Sequence, residues 1–244
     1  MPWKRTTVGD HPCDIFEPEK QPVDRFAVLY LHDQPRLAPG DLRICTPMFE
    51  QHGLRVIAPW TGQSWWTDRI WPAFDSAQSI EQYLRTQVLD WIASEWEIRP
   101  PAIALLGIGM GGQGALRASF KSPNLFPIVA AISPAIDCYT IWYDDDTLLQ
   151  VYSDPENARQ DSATLHIHPL NWPRNTWLCA DPADHDWHES AERLRMKLTA
   201  LGIPHEQDLE TTTGGNREKY LEKMLPGALG FITQRLGQEA RRVR

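Results

Sequence analysis

Leu106-Gly107-Ile108-Gly109-Met110-Gly111-Gly112-Gln113-Gly114-Ala115-Leu116 is the stretch that decides how this chain folds. It grows out of the apolar run Ala102 to Ile108 and leads into a helical segment that Pro123 closes, so strand, glycine turn and helix follow one another directly. A tight strand-to-helix turn presents one residue at its apex on a strained backbone. Small residues are needed two positions before and two after, because side chains there would collide. Gly107 and Gly111 meet that requirement, and the apex is Gly109.

Outward from this turn, apolar runs alternate with amphipathic stretches. Phe26 to His32 and Leu54 to Pro59 read as buried strands, and Ile128 to Ile136, Thr176 to Asp181 and His205 to Thr212 as further ones. Leu42, Cys45 and Phe49 fall at helical spacing closed by Gly53. The segment from Ser79 places Ile80, Tyr83, Leu84, Val88, Trp91, Ile92 and Trp96 on one face, with Ser79 as N-cap and Pro100 as stop. More helix is expected at about Ala191 to Leu201 and Glu218 to Glu239. Such alternation predicts an α/β fold, a three-layer sandwich whose mostly parallel central sheet is covered on both faces. No linker or repeat breaks residues 1–244, so one domain is expected, with a lid-like excursion at about 137–174 where periodicity is weakest.

Composition narrows the function. At 244 residues the chain can bury about 70–75% of its unfolded surface. Lys and Arg number 24 against 32 Asp and Glu, and the resulting −8 removes the electrostatic footprint that nucleic acid requires. Arg241, Arg242 and Arg244 read as a solvated helix end. Cys13, Cys45, Cys138 and Cys179 form no C-x-x-C pair, which suits reduced thiols in the cytoplasm, and neither a signal peptide nor a membrane span is expected. Gly107-x-Gly109-x-x-Gly112 spells a dinucleotide fingerprint, but the acidic residue about 20 positions on is absent. Asp181, Asp184, His185, Asp186 and His188, with His166 and His168, follow no established ligand spacing. Neither a cofactor nor a metal is expected; a small-molecule ligand and a homo-oligomer stay open.

GIGMGGQGAL resembles the G-x-S-M-G-G-x-G-A-L elbow of α/β-hydrolases in the esterase family that includes esterase D and S-formylglutathione hydrolase. The likeness extends through FAVLYLH, GQSWW, ISPAID, DPADHDW and ETTTGG, from about Phe26 to Phe231. It implies an α/β-hydrolase fold and a Ser, acid and His triad. The acid position would be Asp184, with Asp181 second and Asp186 third, and the base would follow the glycine pair, where this chain has Gly214-Gly215-Asn216. Gly109 thus stands for the nucleophile and Asn216 for the base.

Glycine carries no oxygen to attack a carbonyl, and an amide does not titrate near neutral pH, so neither half of that pair operates. Many relatives have His-Gly at the oxyanion loop, whereas His32-Asp33 brings a carboxylate to a place meant to stabilise negative charge. The Met110 N–H, with His32, Asp33, Gln113, Trp65 and Trp66, makes up the candidate oxyanion and ligand-binding set. For the two tryptophans, core packing and pocket wall are both open. The expected function is an esterase-like protein that has lost catalysis and is retained for ligand or partner binding. The alternative is a weak carboxylesterase acting on short acyl esters through a non-triad site. On this reading Gly109→Ser with Asn216→His restores hydrolysis.

Overall fold

The computed structural model describes residues 3–19, 25–34, 40 and 43–242. Its strands are β1 (Trp3–Val8), β2 (His11–Phe16), β3 (Ala27–Leu31), β4 (Arg55–Pro59), β5 (Ile103–Ile108), β6 (Ile128–Ile132), β7 (Asn175–Cys179) and β8 (Glu206–Asp208). They form one sheet in the order β1-β2-β4-β3-β5-β6-β7-β8, parallel from β4 through β8 and antiparallel at the β1–β2 hairpin and where β2 meets β4.

Helices cover both faces, as the alternating pattern requires. α1 (Cys45–His52) and α8 (Arg217–Arg242) lie on one side; α2 (Ile80–Tyr83), α3 (Leu89–Glu95), α4 (Met110–Lys121) and α7 (His185–Ala200) lie on the other. Strand β5 illustrates the period of two: Ile103 and Leu105 point into the core shared with α2, α3, α4 and α7, while Ala104, Leu106 and Ile108 point into the core shared with α1 and α8. The excursion after β6 holds α5 (Asp146–Val151), α6 (Pro155–Gln160) and short 3₁₀ turns at Cys138–Asp144 and Ala163–His166.

Several expected boundaries move, each for a local reason. The strand from Ile128 ends at Ile132, because Ser133 takes φ 45° and turns the chain. The last strand shrinks to Glu206–Asp208, since the Asp208 carboxylate accepts from the Thr211 amide at 2.9 Å and hydroxyl at 2.8 Å and curls the segment away. The helix from Ser79 stops at Glu95, before Pro100, where Glu97 takes φ 56°, and it contains a π-helical turn over Leu84–Val88. Ser79 does cap it, accepting from the Gln82 amide at 3.1 Å. Gly53 ends α1 in the left-handed conformation, as the spacing requires; Leu42 lies outside the described residues. α7 starts at His185, earlier than its apolar periodicity indicates.

Candidate active site

The turn between β5 and α4 is built as its glycines dictate. A Cβ on Gly107 would overlap the Gly111 carbonyl, and one on Gly111 would overlap the carbonyl of Leu31. The apex residue Gly109 takes φ 53° and ψ −116°. Its N–H donates to Ile132 O at 3.0 Å, and its own carbonyl accepts from Ala135 at 2.9 Å and Gln113 at 3.1 Å, so β6 and α4 hold the apex from both sides.

What fills the space above the apex is Asp33. Its Oδ1 accepts from the Met110 N–H at 2.8 Å, the first amide of α4, and a Cβ placed on Gly109 would overlap all three atoms of its carboxyl group. The vacancy that glycine opens at this turn is thus occupied by the chain's own carboxylate. Burial pushes the Asp33 carboxyl up from its usual range, against the lowering effects of the Met110 and Gln34 amides and the Arg217 charge, while Asp184 adds to the rise. His32, 4% exposed, accepts from the Thr61 N–H at its Nε2 (3.3 Å), which makes Nδ1 the protonated nitrogen donating to Asp33 O (3.0 Å). That ring supports the loop carrying Asp33.

Trp65 and Trp66 lie under the turn rather than around an opening. Both are 2% exposed and belong to the core, both have positive φ, and Trp66 Nε1 donates to His32 O at 3.1 Å. The Trp65 N–H reaches Met110 Sδ at 3.2 Å, and Gln113 Nε2 donates to Trp65 O at 3.1 Å. The packing role is therefore the one these two residues fill.

At the end of β7, Asp181 gathers five donors: the amides of Ala183, Thr213 and Gly215 and the hydroxyls of Thr212 and Thr213, at 2.6–3.1 Å. Burial alone would raise this carboxyl, but those bonds more than offset it and hold it well below the usual range. Asp181 thus fixes the 212–215 loop. Asp184 instead pairs with Arg217 at 3.1 Å. Asn216 is exposed and its Oδ1 accepts from the Lys219 amide at 2.9 Å, an N-cap for α8. Asp186 and His185 are exposed, while His188 meets Leu209 O at 3.0 Å and His166 meets Asp161 at 3.1 Å, so the histidines and acids of this region are spread among separate partners.

A cavity of only about 20 Å³ remains beside Gly109, walled by Asp33, Ile108, Ile132, Ser133, Trp187, Arg217 and Leu221. Ser133, Trp187 and Arg217 are not singled out by the sequence pattern. Their placement depends on the turn after β6 and on how α7 and α8 begin, and the strained φ of Ser133 is visible only in three dimensions.

The family described as "Putative esterase" matches residues 13–232. This chain belongs to that esterase family of the α/β-hydrolase fold. Among solved structures it is similar to an S-formylglutathione hydrolase from Agrobacterium tumefaciens (TM-score 0.75, 16% identity, 96% of this chain and 94% of that one). It is also similar to a ferulic acid esterase (TM-score 0.77, 14% identity, 96% and 97%). Over 102 residues it is 31% identical to the diacylglycerol acyltransferase/mycolyltransferase Ag85B of Mycobacterium intracellulare. That match covers 38% of this chain and 31% of the relative, so the chain aligns with about a third of the curated relative's length.

Proposed function

We propose that this member of the esterase family has given up acyl transfer and is retained for binding. The observation that carries the reading is the Asp33 carboxylate, lodged where a nucleophile's side chain would stand and bonded to the Met110 amide that would otherwise stabilise an oxyanion. In serine proteases stripped of their triad, the oxyanion donors and binding alone leave about 10³-fold catalysis over water. Here even that residue is forfeited, because a carboxylate occupies the donor and repels the negative charge a tetrahedral intermediate develops. Asn216 capping α8 and a 20 Å³ cavity agree with this reading. The four cysteines, all free and buried, are consistent with work in a reducing compartment.

The test is hydrolysis of 4-nitrophenyl acetate. Natural protein is expected to match a heat-denatured blank, and Gly109→Ser with Asn216→His is expected to do no better, since the new hydroxymethyl meets Asp33. Adding Asp33→Gly, with the histidine tried at 216 and also as Arg217→His, is expected to bring turnover. Activity of the natural protein above the blank that disappears on Asp33→Asn would overturn the proposal and support a weak esterase working through Asp33.

A further inference from the structure

A concavity lined by three arginines lies at the opposite end of the sheet from Gly109. Its floor includes Asn175 and Glu206, the first residues of β7 and β8, whereas the elbow and Asp181 lie past the other ends of their strands. About 290 Å³ in volume, it is ringed by Arg174, His205, Arg235 and Arg242 with Gln238 and Glu206 between them. That volume falls near the lower end of small-ligand sites.

The three guanidiniums are held in place from behind. Glu239, 1% exposed, accepts from Arg174 Nη1 at 2.6 Å, Arg242 Nη1 at 3.0 Å and Asn175 Nδ2 at 3.3 Å. Arg235 pairs with Glu206, donates from Nη1 to Gln238 Oε1 at 2.7 Å and lies over the Phe231 ring at 5.4 Å; its buried Nε has no partner among the described residues. Each guanidinium carries five donors, and Arg174 and Arg242 each give one nitrogen to Glu239. Three fixed cations stand against two carboxylates, a local positive balance on a chain whose net charge is −8. His205 donates its Nδ1–H to Ile203 O at 2.9 Å, which leaves Nε2 as the ring's other polar atom. Arg174 also walls a neighbouring hollow of about 190 Å³ lined by Pro100, Pro101, Pro123 and Pro127.

We propose that this cavity binds a small phosphate monoester, its phosphoryl oxygens received by Arg174, Arg235 and Arg242. Guanidinium forks match phosphoryl oxygens in pairs, and a cluster already oriented by Glu239 at Arg174 and Arg242 and by Glu206 and Gln238 at Arg235 loses little freedom on binding. The site is independent of the elbow and stands whether or not the chain hydrolyses esters.

Thermal shift and calorimetry on the full chain, with inorganic phosphate and glycerol 3-phosphate as probes and chloride at equal ionic strength as reference, provide the test. A saturable rise in Tm with both phosphates, absent with chloride and glycerol, is expected. Arg242→Gln, at the last described residue of α8, should weaken binding at least tenfold, as should Arg235→Gln. Arg241→Gln, outside the cavity, should leave it unchanged. No saturable response up to about 10 mM, or a response equal in Arg242→Gln and the natural chain, overturns the proposal.

Discussion

Position 109 and Asp33 are one unit, because a side chain at the first needs the space of the second. Gly109→Ala should therefore destabilise by about 1–3 kcal/mol, from φ 53° together with displacement of the carboxyl group. Part of that loss should return in the double variant with Asp33→Gly, and a double-mutant cycle by urea unfolding should give a coupling of about 0.5–3 kcal/mol. Additive changes would show that Asp33 moves aside freely. Titration gives a second handle. Since burial raises the Asp33 carboxyl, the folded protein holds that proton more tightly than the unfolded chain does, and stability drains away as pH rises from the unfolded value near 4 through the raised folded one. Asp33→Asn should accordingly raise Tm at pH 7 and lose most of that advantage at pH 4. The sequence makes Gly109, Asn216 and Asp33 visible as departures from a catalytic pattern. That Asp33 reaches over to the Met110 amide depends on β3 and β5 being neighbours, a long-range fact no local window contains.

Among the elements, α4 carries more than the elbow. Arg117, 1% exposed, reaches from it to Glu81 on α2 and to the carboxylate and carbonyl of Asp161, just after α6, while Lys121 reaches Asp68 at 2.7 Å. The excursion after β6 is fastened to the sheet's helical layer through this cation. Removing one partner of a buried pair strands the others, so Arg117→Met should cost about 3–5 kcal/mol in urea unfolding and expose the segment around Asp161 to limited proteolysis. A protease pattern unchanged from the natural protein would mean that apolar packing alone holds the excursion. The helices are legible because their apolar residues repeat at 3.6, as along the face running from Ile80, and the central strands because they are short continuous apolar runs, as in β5. The β1–β2 hairpin is harder to read: Thr6 and Thr7 alternate weakly, and the Gly9-Asp10 turn joining Val8 to its partner His11 is a two-residue signal inside a polar stretch. The 3₁₀ turns of the excursion have no period at all, and their order rests on tertiary bonds such as that from Lys197 Nζ to Thr164 O at 2.7 Å.

At the scale of the molecule, pH acts on several carboxylates at once. Burial works against both Asp181 and Asp161, yet the amide and hydroxyl donors of the former and the His166 and Arg117 contacts of the latter hold each well below the usual range. Their contribution to stability is complete above the unfolded value near 4 and is lost as pH falls below it toward their folded values. Tm should hence drop steeply between about pH 4 and 2, more steeply than in Asp181→Asn, whose Tm at pH 7 should already be lower by about 4–8 °C for a loss of about 2 kcal/mol. A flat profile below pH 4 would contradict this. The backbone at Gly109 has a wider consequence. Glycine adopts φ 53° without the penalty a serine incurs there, and Asp33 closes over the unstrained turn. A serine placed at 109 alone brings strain and a collision with Asp33, and withdrawing Asp33 alone leaves a glycine that carries no hydroxyl. A side chain at 109 and the carboxyl group of Asp33 exclude each other, so this turn is governed by two distant positions acting as a single lock.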